Sequence, residues 1–473
     1  LSAAKPPPKQ KAFDRSLVDG PIGTGVWRLA WPTMLQNVIG GMQGLVDHAM
    51  VGNYVGYTGN AAIGVSWQIF LVVVVFISSL FSGMGVLVAR FAGANEPAKV
   101  NSAVYQAFLT AAVISLGILA PLGYVLSPSL LNLVNAAPAV QAEALPYLRV
   151  MFLFSLGMMT FFMAGGAFRS AGDAKTPLRL GILLTTLNIV LNVIFIRGLG
   201  PIPSFGTTGA AMGTVISGGV VSAIVIGMFL SGKQVVSWDR VMGWRPDWSI
   251  IKALFRFGLP TGFQGVAMNV GGVLLLAFIG SLAQSAEAQA AYAVSYVQLF
   301  SLITWTSVGL MGASAAMAGQ NLGAGNPDRA AQAVKVSSWF GLGVAVIIGS
   351  LFVFIPRVLL GAFGMDDPIV ADLGVELLGY LAVSGLFITV ALAYTGGLQG
   401  TGDTKSPMYI SIISQLVIPL GYCALFQATR GLRPSDIWFA IVLGHFVRCV
   451  LSVGRFRQGK WRDIEVSIDG RRA

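Results

Sequence analysis

Two short motifs occur twice in this chain at the same separation. Residues 172–177 (GDAKTP) return as residues 402–407 (GDTKSP), 230 positions later. Residues 92–97 (AGANEP) return less strictly as residues 322–327 (LGAGNP), with a glycine and the proline again displaced by 230. Two repeats at one separation indicate a duplicated unit. The chain is therefore expected to fold as two similar halves, which in a membrane protein is the usual plan of a secondary transporter.

The composition indicates an integral membrane protein. Hydrophobic residues make up 55% and charged residues 10%, whereas a soluble domain carries about 25% charge. Since a helix needs roughly 20 apolar residues to cross the hydrocarbon core, we predict twelve spans at about 27–50, 62–89, 102–126, 147–169, 178–197, 209–231, 251–281, 288–318, 334–356, 371–399, 408–428 and 436–455. Six spans fall in each half, so both halves enter from the same side. The predicted fold class is an all-α membrane protein with two six-helix lobes related by a pseudo-two-fold axis along the membrane normal.

The basic residues predict the orientation. Most of the 30 Lys and Arg lie in the tails and in the loops after spans 2, 4, 6, 8 and 10, which makes that side cytoplasmic. The net charge of +11 then reflects topology and contact with anionic lipid, not nucleic-acid binding. The predicted parts are a flexible cytoplasmic tail (1–26) without a signal-peptide core, an N-lobe (27–231), a cytoplasmic linker (232–250), a C-lobe (251–457) and a cytoplasmic C-terminal tail (458–473).

The repeated GDxKxP loops carry helix stop and start signals. Gly172 and Gly402 can adopt the positive φ that ends a helix. Thr176 and Ser406 each precede a proline, which predicts an N-cap followed by proline at the first helical position. A second interpretation is that the aspartates of these loops, Asp173 and Asp403, form cytoplasmic gate contacts with basic residues.

Span 1 carries a polar stripe that ends in a carboxylate. Gln36, Gly40, Gln43 and Asp47 follow one another at helical spacing and share one face. A charge in hydrocarbon costs at least about 2.5 kcal/mol, so Asp47 is the leading functional candidate. His48 follows it, about 100° further round the helix, and is a possible proton partner.

Span 5 carries a second polar stripe, formed by Thr185, Asn188 and Asn192. Such residues either join helices through hydrogen bonds or line a polar cavity. In the second half, Leu275 stands at the position equivalent to Asp47. The coupling chemistry is therefore predicted to be asymmetric and to lie in the N-lobe.

Other candidates are more weakly supported. In span 4, Met158 and Phe162 belong to a Met- and Phe-rich stretch that either binds varied apolar compounds or packs against lipid and helices. In span 12, His445 and Arg448 are the remaining ionisable candidates of the C-lobe, and Arg448 is predicted to snorkel to the cytoplasmic surface.

The chain resembles the multidrug and toxic compound extrusion (MATE) transporters, most closely the prokaryotic DNA-damage-inducible F branch. The resemblance covers roughly residues 22–455 and is carried by residues 318–327 (AGQNLGAGNP), the GDxKxP loops, residues 46–52 (VDHAMVG) and residues 188–192 (NIVLN). It implies a monomeric transporter of the prokaryotic inner membrane, not an enzyme, with a central cavity between its lobes. Such a protein exports organic, often cationic, drugs or metabolites in exchange for H⁺ or Na⁺ and has no other cofactor.

The resemblance also implies site residues. The cation-coupling role would fall on Asp47, Asn188, Asn192 and Thr214, with the first three able to hold Na⁺. The substrate cavity would include residues of spans 1, 4 and 7, namely Gln36, Gln43, Met158, Phe162, Gln264 and Met268. The chain departs from the family at two positions, since Asn192 replaces an aspartate frequent in the F branch and Met268 replaces the span 7 acid of another branch.

Two other function classes stay open. A lipid-linked oligosaccharide flippase of the same superfamily would line its cavity with several basic residues to hold pyrophosphate, and basic residues are scarce within these spans. An intramembrane enzyme would need a catalytic pair at depth. The one adjacent pair, Asp47 and His48, diverges on a helix.

Overall fold

The structure is a computed structural model that describes residues 10–134, 136–238, 245–365 and 367–468. In those ranges it is built from helices and the loops between them, with one isolated bridge between Leu199 and Ile202. The helices are α1 (Ser16–Asp19), α2 (Ile22–Tyr54), α3 (Tyr57–Gly93), α4 (Pro97–Leu133), α5 (Pro138–Leu153), α6 (Ser155–Ser170), α7 (Lys175–Arg197), α8 (Gly206–Leu230), α9 (Trp248–Gly280), α10 (Ser285–Gly323), α11 (Pro327–Phe354), α12 (Pro356–Gly361), α13 (Pro368–Thr401), α14 (Lys405–Thr429) and α15 (Pro434–Arg457). A 3₁₀ turn, Lys460–Asp463, follows α15. The all-α prediction is confirmed.

The long helices correspond to the predicted spans. In the described ranges nine helices are long and apolar enough to cross a membrane, and the pair α5–α6, bent by 54°, makes a tenth if it is one span. The other two predicted spans fall on α2 and α3, which have 33 and 37 residues. At 1.5 Å per residue each of these exceeds the hydrocarbon thickness of about 30 Å.

The first compact unit is built mainly from Val38–Leu259. Within it α7 packs along α8, and α3 contacts α4, α5 and α6. A cluster of aromatic rings packs around the end of α8 in this unit. The ring centroid of Phe229 lies 4.8 Å from that of Trp238 and 5.5 Å from that of Phe108. The first part of the predicted linker is therefore packed against helices, and its residues 239–244 lie outside the described ranges.

The second compact unit is built from Arg15–Asn37 and Pro260–Val466. Helix α13 is its centre and contacts α10, α11 and α15. Leu377, Leu381 and Trp438 are fully buried in its core. Apolar residues cover nearly every side of α13, which is what a helix surrounded by other helices requires.

The units divide α2 and α9 internally, whereas the predicted lobes kept each of these helices whole. The first part of α2 belongs to the second unit, and the first part of α9 belongs to the first unit. Close backbone contacts explain both assignments. A Cβ on Gly309 of α10 would lie 2.7 Å from Met34 Cα, and a Cβ on Gly258 of α9 would lie 1.9 Å from Ser79 O of α3.

The N-terminal tail differs from the prediction of a flexible segment over residues 1–26. Leu17 on α1 is buried, and Asn321 donates a hydrogen bond to its carbonyl at 3.2 Å. Gln10 donates to the carbonyl of Val235 at 2.7 Å. Residues 10–26 are thus held by contacts that the polar composition did not indicate, and residues 1–9 lie outside the described ranges.

The repeated loops take the same backbone conformation in both halves. Gly172 and Gly402 have φ of 98° and 103°, as predicted, and Asn95 and Gly325 have φ of 60° and 79°. The predicted caps are wrong by two residues in both loops, because the helices begin at Lys175 and Lys405. The carboxylates of Asp173 and Asp403 accept the hydrogen bonds instead, from the backbone N–H of Thr176 at 3.0 Å and of Ser406 at 3.2 Å.

Among the described residues, one of the two loop aspartates forms an ion pair with an arginine and the other does not, so we expect their substitution to change stability by different amounts. Asp403 is 6% exposed and its Oδ2 lies 2.9 Å from Arg455 Nη2. Asp173 forms no ion pair within the described ranges. Because removing one partner of a largely buried pair leaves the other unpaired, Asp403→Asn should destabilise the protein by about 2 kcal/mol. The matched Asp173→Asn should cost less than about 1 kcal/mol, and equal shifts in thermal unfolding of the two purified variants would contradict this.

The α3–α9 crossing makes a second stability prediction. A Cβ on Gly258 would also lie 2.7 Å from Ser79 C, and this is backbone that cannot rotate away. Gly258→Ala should therefore force the helices apart and destabilise the protein by about 1–3 kcal/mol. Gly265→Ala on the same helix meets no atom within 4 Å and should be neutral or slightly stabilising. Thermal unfolding of both variants in one detergent checks the difference.

Candidate ion-coupling site

Three helices of the first unit bring the predicted polar residues together. Gln43 and Asp47 lie one turn apart on α2, and Asn188 and Asn192 lie one turn apart on α7. Thr214 is on α8. Both asparagines are fully buried, while Asp47 is half-buried. The two stripes read from the sequence therefore face each other.

Hydrogen bonds connect the stripes. Asn192 Nδ2 donates to Asp47 Oδ1 at 2.7 Å and also lies 3.2 Å from Asn188 Oδ1. Asn188 Nδ2 lies 3.1 Å from Thr214 Oγ1. One turn away, Thr185 Oγ1 lies 3.0 Å from Gln43 Oε1. A carboxylate on α2 is thus held by an amide on α7, and the Asn188 amide extends the hydrogen-bond network to the Thr214 hydroxyl on α8.

The Asn188 amide fits a second orientation. Turned by 180°, its nitrogen lies 3.1 Å from Asp47 Oδ1, and its oxygen accepts from Thr214 N at 3.3 Å. In that orientation two amide nitrogens face Asp47. Both orientations keep Asn188 between Asp47 and Thr214.

A polar atom of this site has no hydrogen-bond partner among the described residues. Asn192 Oδ1 is buried and accepts no hydrogen bond from the described residues. It lies against Gly213 of α8, where an added Cβ would come within 2.0 Å of it. Buried carbonyl oxygens are normally satisfied, so this oxygen is an unsatisfied acceptor within the site.

Sequence reasoning missed Gly213, although a signal for it was present. Residues 209–213 read GAAMG, and glycines four apart on a span allow a neighbouring helix to approach closely. A Cβ on Gly209 would lie 2.4 Å from Phe195 O of α7. Both glycines of α8 therefore face α7, and the second makes room for the Asn192 side chain.

His48 lies apart from this network. Its Nδ1 forms a short hydrogen bond with Asn60 Oδ1 on α3. The partner that the sequence suggested, Asp47, instead bonds to Asn192. The helical divergence of adjacent residues accounts for the separation.

The predicted cavity residues divide between the units. Gln43, Met158 and Phe162 belong to the first unit, and Phe162 is 42% exposed. Gln36 belongs to the second unit, where its buried Oε1 has no partner among the described residues. No contact of Met158 or Phe162 indicates a ligand, so their cavity role stays a prediction.

Gln264 lies in a buried network of the second unit. It donates to Ser411 Oγ on α14 at 2.8 Å and accepts from Gln399 Nε2 on α13 at 3.0 Å. Met268, one turn further along α9, is 38% exposed and lies against Arg448, with Sδ 3.9 Å from Nη1. The prediction that Arg448 snorkels to the surface is wrong, because it is 1% exposed.

The described residues contain no group of three His, Cys, Asp or Glu side chains that could hold a metal ion. Any cation at Asp47 would therefore be coordinated by one carboxylate and by amide and hydroxyl oxygens. That donor set suits a monovalent hard cation or a proton and does not resemble a transition-metal site.

Comparisons with known proteins agree on the class. The MatE family model matches residues 32–194 and 260–424, one match in each half of the duplication. A probable multidrug resistance protein NorM of Thermotoga maritima is 27% identical over 439 residues, covering 92% of both chains. Multidrug resistance protein MdtK of Pectobacterium atrosepticum is 26% identical over 443 residues, covering 91% of this chain and 94% of its own.

Solved structures share the fold. An outward-facing multidrug resistance MATE family transporter of the MOP superfamily superposes with a TM-score of 0.87 at 20% identity, over 96% of this chain and all of that one. A MOP superfamily transporter from Pyrococcus furiosus, whose binding pocket is described as having reverse polarity, superposes equally well at 21% identity with the same coverage.

Proposed function

Because the chain belongs to the MatE family of transporters, we propose that it exports organic compounds in exchange for H⁺ or Na⁺ by alternating access. It is a multi-pass membrane protein. The names of its relatives support a multidrug substrate range. We further propose that it works as a monomer in a bacterial inner membrane with both termini in the cytoplasm, as the distribution of basic residues indicates.

The contact between Asp47 and Asn192 carries this proposal. A carboxylate within a span is costly unless it is paired or functional, and among the described residues the hydrogen-bond partners of this one are neutral amides. Such a group exchanges a cation without dismantling an ion pair. The proposed cation-coupling residues are Asp47, Asn188, Asn192 and Thr214.

The donor geometry favours H⁺ over Na⁺. The amide group nearest Asp47 is the Asn192 nitrogen, at 2.7 Å, and an N–H donor repels a cation. The Asn192 oxygen that could coordinate Na⁺ points instead towards Gly213. Sodium would therefore require the Asn192 amide to turn, whereas a protonated Asp47 keeps the bond because its carbonyl oxygen still accepts.

Loading would couple to conformation through this contact. A bond from an amide to a charged carboxylate is stronger than one to a neutral carboxyl group. Protonation from the outside would thus weaken the link between α2 and α7. A cation drives a transition only when it binds the two conformations differently, and this link provides such a difference. The proposed substrate contacts remain Gln36, Gln43, Met158, Phe162, Gln264 and Met268.

Flux measurements test the proposal. The purified protein in proteoliposomes should move a cationic dye when a pH gradient is imposed, and more slowly or not at all under a Na⁺ gradient. Flux driven only by Na⁺ would overturn the choice of ion. Absence of flux under both gradients, with protein shown to be folded, would overturn the exporter and make a lipid-linked substrate the next candidate.

A further inference from the structure

Arg448 is a fully buried cation that has no anionic partner among the described residues. It lies nine residues before the end of α15 at Arg457, about 13 Å along the helix. Among the described residues it forms no ion pair, and its Nε has no hydrogen-bond partner. Within the described part of the chain, its hydrogen-bonding contact is the Met268 thioether, at 3.9 Å from Nη1. A guanidinium has five donors and normally uses most of them when buried.

Further unpaired polar atoms accompany it. Ser452 lies one turn along α15 from Arg448, and Ser414 lies in a π-helical turn of α14. Both hydroxyls are fully buried and have no partner within the described ranges. Turns of this kind recur at functional sites. Unsatisfied buried donors therefore occur on both α14 and α15, and α15 also carries Arg448.

Close backbone contacts bring three helices together around this region. A Cβ on Gly444, one turn before Arg448, would lie 2.6 Å from Ser414 O. A Cβ on Gly271, one turn after Met268, would lie 2.8 Å from Gln415 O. Helices α9, α14 and α15 therefore meet here, all within the second unit.

The other described neighbours add no negative charge. Tyr296 lies near Arg448 and is neutral in its ordinary form. His445 is stacked on Phe300, with centroids 5.9 Å apart, and its Nδ1 bonds to Ser384. Neither side chain supplies a negative charge, so an anion at Arg448 would come from a bound molecule.

Met268 makes such a site accessible. It is 38% exposed, while Arg448 behind it is 1% exposed. A thioether is a weak acceptor on a flexible side chain, and an incoming anion would displace it readily. The contact at 3.9 Å then acts as a cover over the guanidinium.

We propose that Arg448 binds the carboxylate of exported compounds that carry one, with Met268 as its displaceable cover. The planar guanidinium matches a carboxylate in bidentate geometry. A single arginine suits one negative charge, whereas a pyrophosphate would need several cations. The inference rests on the proposed export function. It adds that the exported compounds include zwitterionic or monoanionic carboxylates.

A matched pair of probes tests it. A rhodamine dye with a free carboxylate and its methyl ester share one ring system and differ in the negative charge. Binding of each to the intact purified protein is followed by fluorescence anisotropy. The native protein should prefer the acid, and Arg448→Met should lower the ratio of acid to ester affinity by about tenfold or more, as expected for a charge-assisted hydrogen bond.

Two more variants make the test specific. Arg448→Lys keeps the positive charge but loses the planar guanidinium. Its ratio of acid to ester affinity should therefore lie between those of the native protein and Arg448→Met. If Arg448→Met does not fold, the ratio measured for Arg448→Lys tests the inference instead. Arg169→Met removes another arginine whose Nε has no partner among the described residues, at the end of α6 in the first unit. It should leave the ratio unchanged.

The outcomes separate this inference from the export function. The inference is overturned if the ratio of acid to ester affinity is unchanged in both Arg448 variants, or if it falls equally in Arg169→Met. Gradient-driven flux of the ester does not depend on this result. Absence of flux of either dye under both gradients overturns the export function, and the binding ratio still tests the carboxylate site. A native preference for the ester would also overturn the inference.

Discussion

Asp47→Asn should abolish gradient-driven export while leaving the protein folded. The substitution keeps the shape of the side chain and its contact with Asn192, which lies 2.7 Å from Asp47, but removes the group that takes up a proton. The binding energy of the cation can then no longer favour one conformation over the other. We expect accumulation of a cationic dye against its gradient to fall by at least about tenfold.

The control for this experiment is Asp372→Asn. Asp372 pairs with Arg357 at 2.7 Å, and both side chains are about two-thirds exposed, so its removal should change flux and stability little. Binding of the dye to Asp47→Asn should persist, because the proposed substrate contacts lie on other residues. Full uphill transport by the Asp47 variant would remove this carboxylate from the coupling mechanism.

Gly213→Ala should impair coupling nearly as strongly, although it changes no charged or polar group. The new Cβ would lie 2.0 Å from Asn192 Oδ1 and 3.2 Å from Asn192 N. The side chain of Asn192 would have to turn away, and its bond to Asp47 would be lost. Transport should therefore fall by about tenfold or more, since small displacements in a preorganised site have large effects.

Gly219→Ala on the same helix is the matched control, because an added Cβ there meets no atom within 4 Å. It should transport normally. The two variants differ only in what their methyl groups meet, so equal transport by both would mean that the position of Asn192 against α8 does not matter.

The site was partly predictable because helical periodicity is a local property. The spacing of Gln43 and Asp47, and of Asn188 and Asn192, places each pair on one face without any knowledge of the fold. Which faces meet depends on how α2 packs against α7, and this the spacing does not contain. The partners of His48 and Gln264, namely Asn60 and Gln399, lie on helices that the sequence did not connect to them.

The sequence predicted the position of the buried polar residues better than that of the buried arginine. Arg448 was expected at the membrane surface, because an arginine near the end of a span can usually extend to water. In the structure Arg448 is 1% exposed and Met268 of α9 lies against it, while Gly444 and Gly271 allow α14 to approach α15 and α9 closely. The burial of one side chain thus depended on two glycines whose role is visible only in three dimensions.

The sequence by itself determined the all-α class, the duplication and the two polar stripes, because these follow from composition, repetition and a period of 3.6 residues. Only the tertiary structure decided that the first parts of α2 and α9 belong to different units from their second parts. It also decided that Asp403 pairs with Arg455 while Asp173 caps its helix without an ion pair in the described ranges. Those outcomes depend on contacts between residues far apart in the chain, whose distances are set by close packing of the helices and not by any local pattern.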